Sequence, residues 1–166
     1  MLKTILSTFF ISLFCSCAAQ GINNSTVEEF NLSRFLGEWY EIARFDSRFE
    51  RNLVSVTANY TLNADGTIKV INRGYNTRKE RWGESEGKAH TTDDAGRLRV
   101  SFFPMVYSDY NILMVGEDYQ WALVGSSSSD YLWILSRSPE MQSSTLDHII
   151  TVAESRGYDT SKLLIL

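Results

Sequence analysis

Few side chains in this sequence could carry out nucleophilic, acid–base or metal chemistry. The 166 residues include two histidines, His90 and His148, and two cysteines, Cys15 and Cys17. Catalysis needs several such groups in one place, and two histidines far apart in the sequence do not make a metal-binding set. We therefore expect His148 on the surface and His90 at the end of a strand. We expect no enzymatic activity, no metal site and no cofactor.

The cysteines indicate a different chemistry, which is acylation at the start of the chain. Met1–Lys3 carries one positive charge and Thr4–Phe14 is mostly apolar, as is typical of a secretory signal peptide. This run is shorter than the about 20 apolar residues that a membrane-spanning helix needs. Its end, Phe14-Cys15-Ser16-Cys17, resembles a bacterial lipobox, in which the last cysteine carries the lipid. A eukaryotic secretory signal is the competing interpretation.

The lipobox divides the chain into three predicted parts. We predict a signal peptide over residues 1–16, a flexible tether over residues 17–29 and a single folded domain over residues 30–166. Cleavage before Cys17 removes the other cysteine, so the mature chain can form no internal disulfide and depends on its own core. About 150 residues are enough for one such core. A formal net charge of −4 gives no indication of nucleic-acid binding.

The folded part reads as a series of short strands. Val54–Leu62 alternates apolar and polar side chains over nine positions, which predicts a strand with one buried face. Asn63–Gly66 supplies turn residues before the next strand, at Thr67–Ile71, so these two strands form a hairpin. We predict the remaining strands at residues 37–44, 81–90, 97–102, 107–115, 121–125 and 131–135.

The pattern changes once, near the end of the chain. Leu146, Ile149, Ile150 and Ala153 fall at the spacing of one helical stripe. Eight short strands followed by one amphipathic helix predict an all-β, up-and-down antiparallel barrel with the helix packed outside it. Strand count alone also allows an avidin-like barrel. A ten-stranded fatty-acid-binding barrel is disfavoured because its helices come early in the chain.

Three short motifs then narrow the fold class. They are Gly37-x-Trp39, Asp118-Tyr119-x-x-Ala122 and Arg137 after the last strand. Together with segments such as Trp39-Tyr40-Glu41-Ile42-Ala43-Arg44-Phe45 and Asp130-Tyr131-Leu132-Trp133-Ile134-Leu135-Ser136-Arg137, they resemble the bacterial lipocalins of the outer membrane, in the calycin superfamily. The resemblance covers about residues 30–165.

The lipocalin resemblance implies how the base of the barrel is closed. It implies a short 3₁₀ segment before the first strand, built from Phe30, Leu32, Phe35 and Leu36. It also implies that Arg137 packs over Trp39 and hydrogen-bonds to backbone carbonyls of the opening segment. Such a cation–π contact contributes about 0.5–2 kcal/mol to stability. Gly37, Trp39, Asp118, Tyr119 and Arg137 are therefore structural signature residues and not catalytic ones.

The resemblance also implies a function, which is to carry a fatty acid, lysophospholipid or similar amphiphile inside the barrel. Lipid transport, storage and membrane maintenance are all compatible with it. The membrane partner would be reached through lipidated Cys17, with Ala18 after it favouring an outer-membrane address. The alternative is a structural envelope lipoprotein with a filled barrel that acts through a surface protein partner. We expect the lumen to be lined by Val56, Ala58, Tyr60, Ile68, Val70, Val100, Phe102 and Tyr110.

Basic residues near the far end of the first strand suggest a head-group site. Arg48 and Arg51, with Arg78, Lys79 and Arg81, could meet an anionic head group while the tail enters the lumen. A solvated charged loop explains the same residues equally well.

Overall fold

Successive antiparallel hairpins close into a barrel in the computed structural model, which describes residues 21–166. The predicted signal peptide and Cys17 lie outside the described residues. The elements are a short helix α1 (Leu32–Phe35), strands β1 (Gly37–Phe45), β2 (Leu53–Leu62), β3 (Ile68–Asn76), β4 (Arg81–Thr91), β5 (Arg97–Phe103), β6 (Val106–Val115), β7 (Trp121–Gly125) and β8 (Leu132–Ser136), helix α2 (Ser143–Ser155), a 3₁₀ turn (Thr160–Lys162) and strand β9 (Leu163–Ile165).

The barrel closes because β1 pairs with strands on both of its sides. Gly37–Tyr40 pairs with β2, and Tyr40–Arg44 pairs with β8. Where β2 leaves β1, the short strand β9 pairs with Ala43–Phe45 and covers that part of the edge. The predicted eight-stranded antiparallel barrel is confirmed, with β9 added outside the closed ring. No helix in the described part of the chain is both long and apolar enough to cross a membrane.

The two ends of the barrel are built differently. The chain starts β1 at the end that carries the 63–67, 92–96 and 116–120 turns, and α1 lies against this closed end. The connections 46–52, 77–80 and 126–131 lie at the opposite, open end. We call residues 46–52 the mouth loop.

The predicted alternation in β2 holds only for its centre. Val56 and Tyr60 are buried, whereas Val54 and Leu62 are 37% and 48% exposed. The pairing of β2 with β3 shifts register between Val54 and Thr57, and Ser55 has a φ of +50° there. This bulge takes Val54 out of the inward face, because one extra residue reverses the alternation.

Apolar side chains form one cluster inside the barrel and one outside it. The inner cluster includes Phe35, Trp39 and Tyr60 near the closed end. The outer cluster packs Ile149 and Ala153 of α2 against barrel residues such as Leu123 and Ile134. The predicted helix therefore packs outside the barrel, as expected from its apolar stripe.

The segment before β1 forms one turn of α-helix where a 3₁₀ segment was predicted. The amides of Phe35 and Leu36 donate to the carbonyls of Asn31 and Leu32, four residues earlier, at 3.2 and 3.0 Å. The side chain of Asn31 caps this turn by accepting from the amide of Arg34 at 3.2 Å. This cap satisfies a free amide at the start of the turn and so stabilises it.

Residues 22–27 lie along the outside of the barrel, although we assigned them to a flexible tether. We call them the N-terminal strap. The amide of Asn23 donates to the carbonyl of Arg156 at 2.7 Å, and that of Val27 donates to Ile112 at 3.0 Å. Ile22 packs on the outer cluster. The strap is held in place because its backbone amides donate hydrogen bonds to the rest of the fold and its apolar side chains pack against the barrel wall.

Arg137 locks the closed end as predicted. Its Cζ lies 3.8 Å from the centre of the Trp39 ring. Its Nη1 donates to the carbonyl of Glu38 at 2.6 Å, and its Nη2 donates to those of Arg34 and Leu36 at 2.7 and 2.8 Å. One guanidinium therefore ties α1 and β1 to the end of β8, since the planar fork of arginine presents five donors to several carbonyls at once.

The other signature residues meet at the same place. The hydroxyl of Tyr119 accepts from the amide of Asn31 at 2.8 Å. The carboxylate of Asp118 is 3.9 Å from Nη2 of Arg34. Gly37 adopts a φ of +91°, which favours glycine at this position.

Replacing Arg137 with lysine should lower the free energy of unfolding by about 2 kcal/mol, because a single ammonium group cannot keep all of the charged hydrogen bonds to these carbonyls while it lies over the Trp39 ring. The matched control is Arg34→Lys. Arg34 lies over the Tyr119 ring at 4.5 Å but is half exposed, so its loss should cost less than about 1 kcal/mol. Urea unfolding measures both, and equal losses would contradict the role of Arg137.

Candidate functional site

A cavity of about 490 Å³ occupies the barrel above the inner cluster and opens at the mouth. This volume lies within the range of small-molecule binding sites. Its wall is mainly apolar or aromatic and comes from the inward faces of the strands. The absence of a side chain at Gly87 leaves room for the ring of Phe102 in this wall, because a Cβ atom at Gly87 would be 2.7 Å from that ring.

Seven of the eight predicted lumen residues line the cavity. They are Val56, Ala58, Tyr60, Val70, Val100, Phe102 and Tyr110. Ile68 does not line it and is instead fully buried in the inner cluster. It is the first residue of β3, at the closed end, so the alternation predicted its inward face correctly but contained no information on its depth.

Sequence reasoning missed the residues of the rim. The cavity is also lined by Phe49 of the mouth loop, by Phe103, Val106 and Tyr107 around the β5–β6 turn, and by Tyr131 before β8. These residues lie in or next to connections, where no periodic pattern marks the inward side. Their aromatic and apolar types were the only available signal.

A β-bulge in β1 turns an ion pair inward, and one of its members, Glu41, lines the cavity. Arg44 donates from Nη1 to Oε1 of Glu41 at 2.7 Å, and the two side chains are 0% and 6% exposed. Residues three apart on a regular strand point to opposite faces. The register of β1 with β8 shifts between Glu41 and Ala43, so both side chains point inward.

Arg44 also holds the mouth loop in place. Its Nη2 donates to the carbonyl oxygens of Glu50 and Leu53, both at 2.9 Å. These bonds hold the loop at the rim of the barrel. Within the loop, the side chain of Ser47 is buried. The position of the Glu50 side chain in the cavity follows from these two bonds.

The carboxylate of Glu50 meets neutral donors. Trp133 donates from Nε1 to its Oε1 at 3.1 Å, and Ser47 donates from Oγ to its Oε2 at 3.0 Å. The hydroxyls of Tyr60 and Tyr110, which also line the cavity, share a hydrogen bond of 2.7 Å. The cavity therefore combines an apolar wall with a small set of hydrogen-bonding groups, which is usual for a selective ligand site.

Burial changes the titration of several of these groups. Desolvation, together with the charge of Glu50, raises the pKa of Glu41 to about 7, although the contact with Arg44 opposes both effects. Burial likewise raises the pKa of the Tyr60 and Tyr110 phenols, so both stay neutral near pH 7.

The cations predicted to meet a head group do not line the cavity. Arg51 is 3.7 Å from Asp46, and the Cζ of Arg48 lies 4.7 Å from the ring of Phe49. The lining also leaves out Arg78, Lys79 and Arg81. The cation that lines it is Arg99, whose Nη1 is 3.2 Å from the carboxylate of Asp109. Arg99 lies inside β5, away from the loop-proximal cations that the sequence pointed to.

No catalytic or metal-binding constellation is found among residues 21–166. His90 and His148 are both exposed, at different places on the barrel, and no three His, Cys, Asp or Glu side chains in this range could hold a metal ion. Gly83-Glu84-Ser85-Glu86-Gly87 has the spacing of a nucleophile elbow. It lies within β4, however, and not at the strand-to-helix turn that this motif needs.

A closed antiparallel barrel with one sealed end, one open end and an apolar cavity between them defines a ligand-binding barrel of the calycin type. The chain belongs to the lipocalin family, because the model of the lipocalin-like domain matches residues 30–166.

Relatives agree with this assignment. The chain is 44% identical over 157 residues to "Outer membrane lipoprotein Blc" of Escherichia coli (strain K12), covering 93% of this chain and 89% of that protein. It is 43% identical over 148 residues to "Temperature-induced lipocalin-1" of Arabidopsis thaliana, covering 82% and 78% of the two chains. Insecticyanin from Manduca sexta shares the fold with a TM-score of 0.70 at 22% identity, over 85% of this chain and 82% of that one.

The raised pKa of Glu41 predicts a pH dependence of stability. Between its ordinary value of 4.5 and about 7, the folded protein holds a proton that the unfolded chain releases, so Glu41 destabilises the fold as pH rises through this window. Glu41→Gln should remove this part of the dependence. Urea unfolding at pH steps from 4.5 to 7.5 measures it. Parallel pH curves for both proteins would contradict the assignment.

Proposed function

We propose that this lipocalin binds a fatty acid, lysophospholipid or similar amphiphile in the barrel, with the hydrocarbon tail in the cavity. The observation that supports this most strongly is the cavity of about 490 Å³ with its mainly apolar wall. It favours a carrier over a filled barrel that acts only through its surface. Transport, storage and membrane maintenance all use the same site.

The tail position follows from the chemistry of the wall. Val56, Ala58, Val70 and Val100 form an apolar section below the rim. A tail buried there gains about 0.8 kcal/mol per methylene. The polar end of the ligand then lies nearer the mouth, where the charged and hydroxyl groups are found.

Affinity for saturated ligands with the same polar group should rise roughly fourfold per added methylene until the cavity is full, and then level off. Displacement of a neutral fluorescent probe such as N-phenyl-1-naphthylamine measures this. Affinity that does not depend on chain length would contradict binding of the tail inside the barrel.

Ala58→Phe should weaken the binding of every tail roughly tenfold or more, because the new ring fills the lumen. The matched control is Asn59→Phe on the outer face of the same strand, where the Asn59 side chain accepts from Thr61 at 3.2 Å. Equal effects of the two substitutions would place the ligand outside the barrel.

We further propose that the mature protein is anchored to the bacterial outer membrane through acylated Cys17. The names of the relatives in Escherichia coli and Vibrio cholerae support this, since each is called an outer membrane lipoprotein. Stable anchoring needs more than one acyl chain, and a fully processed lipoprotein cysteine carries more than one.

Cys17→Ser should move the protein from the membrane fraction to the soluble fraction of a Gram-negative host and abolish labelling with radioactive palmitate. The matched control is Cys15→Ser, two residues earlier, which should remain anchored and labelled. Membrane retention of the Cys17 variant, or loss of labelling from the Cys15 variant, would contradict the assignment.

A further inference from the structure

The charges that line the cavity are unbalanced. Three carboxylates, those of Glu41, Glu50 and Asp109, line it together with one guanidinium, that of Arg99. Two of the carboxylates have a cation of their own: Arg44 lies 2.7 Å from Glu41, and Arg99 lies 3.2 Å from Asp109. The remaining carboxylate is that of Glu50.

Glu50 has no cationic partner within ion-pair distance among residues 21–166. Its contacts are the indole of Trp133 and the hydroxyl of Ser47, which are both neutral donors. Arg44 reaches the backbone carbonyl of Glu50, while its Nη1 is engaged by Glu41. A negative charge in a partly buried site repels an anionic ligand and attracts a cationic one, since water screens it only in part.

Trp133, which donates to this carboxylate, packs against two further aromatic rings of the cavity wall. The rings of Tyr131 and Trp133 stack with centroids 5.9 Å apart and an angle of 13° between their planes. Tyr110 lies 6.2 Å from the Trp133 ring, and all three residues line the cavity. Ring faces attract ammonium groups through their quadrupoles, most strongly where water is excluded.

A further acceptor in the lumen has no partner. The Oδ1 atom of Asn72 is buried without a hydrogen bond, and Asn72 lines the cavity. Buried acceptors of this kind are normally satisfied, so a donor from a ligand would remove the cost of leaving it unpaired. Oδ1 of Asn72 and the carboxylate of Glu50 both accept hydrogen bonds, so both favour a ligand group that donates them.

We propose that the cavity selects single-chain amphiphiles whose polar end carries an ammonium group, with Glu50 as the residue that determines this specificity. The ammonium group lies between the Glu50 carboxylate and the rings of Trp133 and Tyr131, and the tail extends below it toward Ala58. A carboxylate at the same position is disfavoured by the charge of Glu50. The inference rests on the proposed function, because it needs a tail in the lumen.

Three twelve-carbon probes test the charge preference below their micelle concentrations. They are dodecyltrimethylammonium, dodecanol and dodecanoate, each displacing N-phenyl-1-naphthylamine from the full mature chain with Cys17→Ser. The wild-type cavity should bind the cation on the order of tenfold more tightly than the anion, with the alcohol between them.

Glu50→Gln should bring the cation-to-anion affinity ratio close to one, because the amide keeps an acceptor for Trp133 but loses the charge. Far-ultraviolet circular dichroism and the midpoint of urea unfolding, both expected to match those of the wild type, show that the variant still folds. The matched control is Glu117→Gln, an exposed residue in the closed-end turn, which alters the net charge equally and should leave the ratio as it is.

The possible failures are distinguishable. If dodecanol binds but dodecanoate binds as tightly as the cation, the ammonium preference is overturned and the carrier function stands. A ratio unaffected by Glu50→Gln likewise overturns the role of Glu50. If none of the three probes displaces the fluorophore, the proposed carrier function fails, and the ammonium preference fails with it.

Discussion

The buried guanidinium of Arg44 is the group on which the open end of the barrel depends. Moving a charge away from water costs several kcal/mol, and only several well-placed partners can offset this. Arg44 has three: the carboxylate of Glu41 and the backbone carbonyls of Glu50 and Leu53. The same interaction therefore sets the polar centre of the cavity, the path of the mouth loop and the position of Glu50.

The barrel is solid at one end and hollow at the other because the sizes of its inward side chains change along the strands. Phe35, Trp39 and Tyr60 pack against one another near the base, with ring centroids 4.9 and 5.3 Å from that of Phe35. Above them, the inward positions are held by small residues such as Ala58 and Gly87. Helix α2 packs outside the barrel, so none of its residues fill the space that remains inside.

The sequence predicted the fold and the closed end well, because both depend on regular periods and short motifs. It predicted the cavity wall on the strands and missed the features created by irregular backbone. The bulge between Glu41 and Ala43, which turns Arg44 inward, leaves no mark in the alternation. The sequence suggested cations such as Arg48 for the head group, whereas the charged residues that line the cavity are Glu41, Glu50, Arg99 and Asp109. The alternation of apolar and polar residues shows which side chains point inward, but it does not show whether an inward side chain lies at the closed end, as Ile68 does, or beside the cavity.

The N-terminal strap restricts how the barrel can sit relative to an attached lipid. Asn24 donates to the carbonyl of Ser126 at 3.4 Å, beside the mouth-side end of β7, and from there the strap runs along the wall toward the closed end. Only four residue steps separate Cys17 from Gly21, at most about 14 Å of extended chain. If Cys17 carries the proposed lipid, this short connection would keep the open end of the barrel close to the membrane surface.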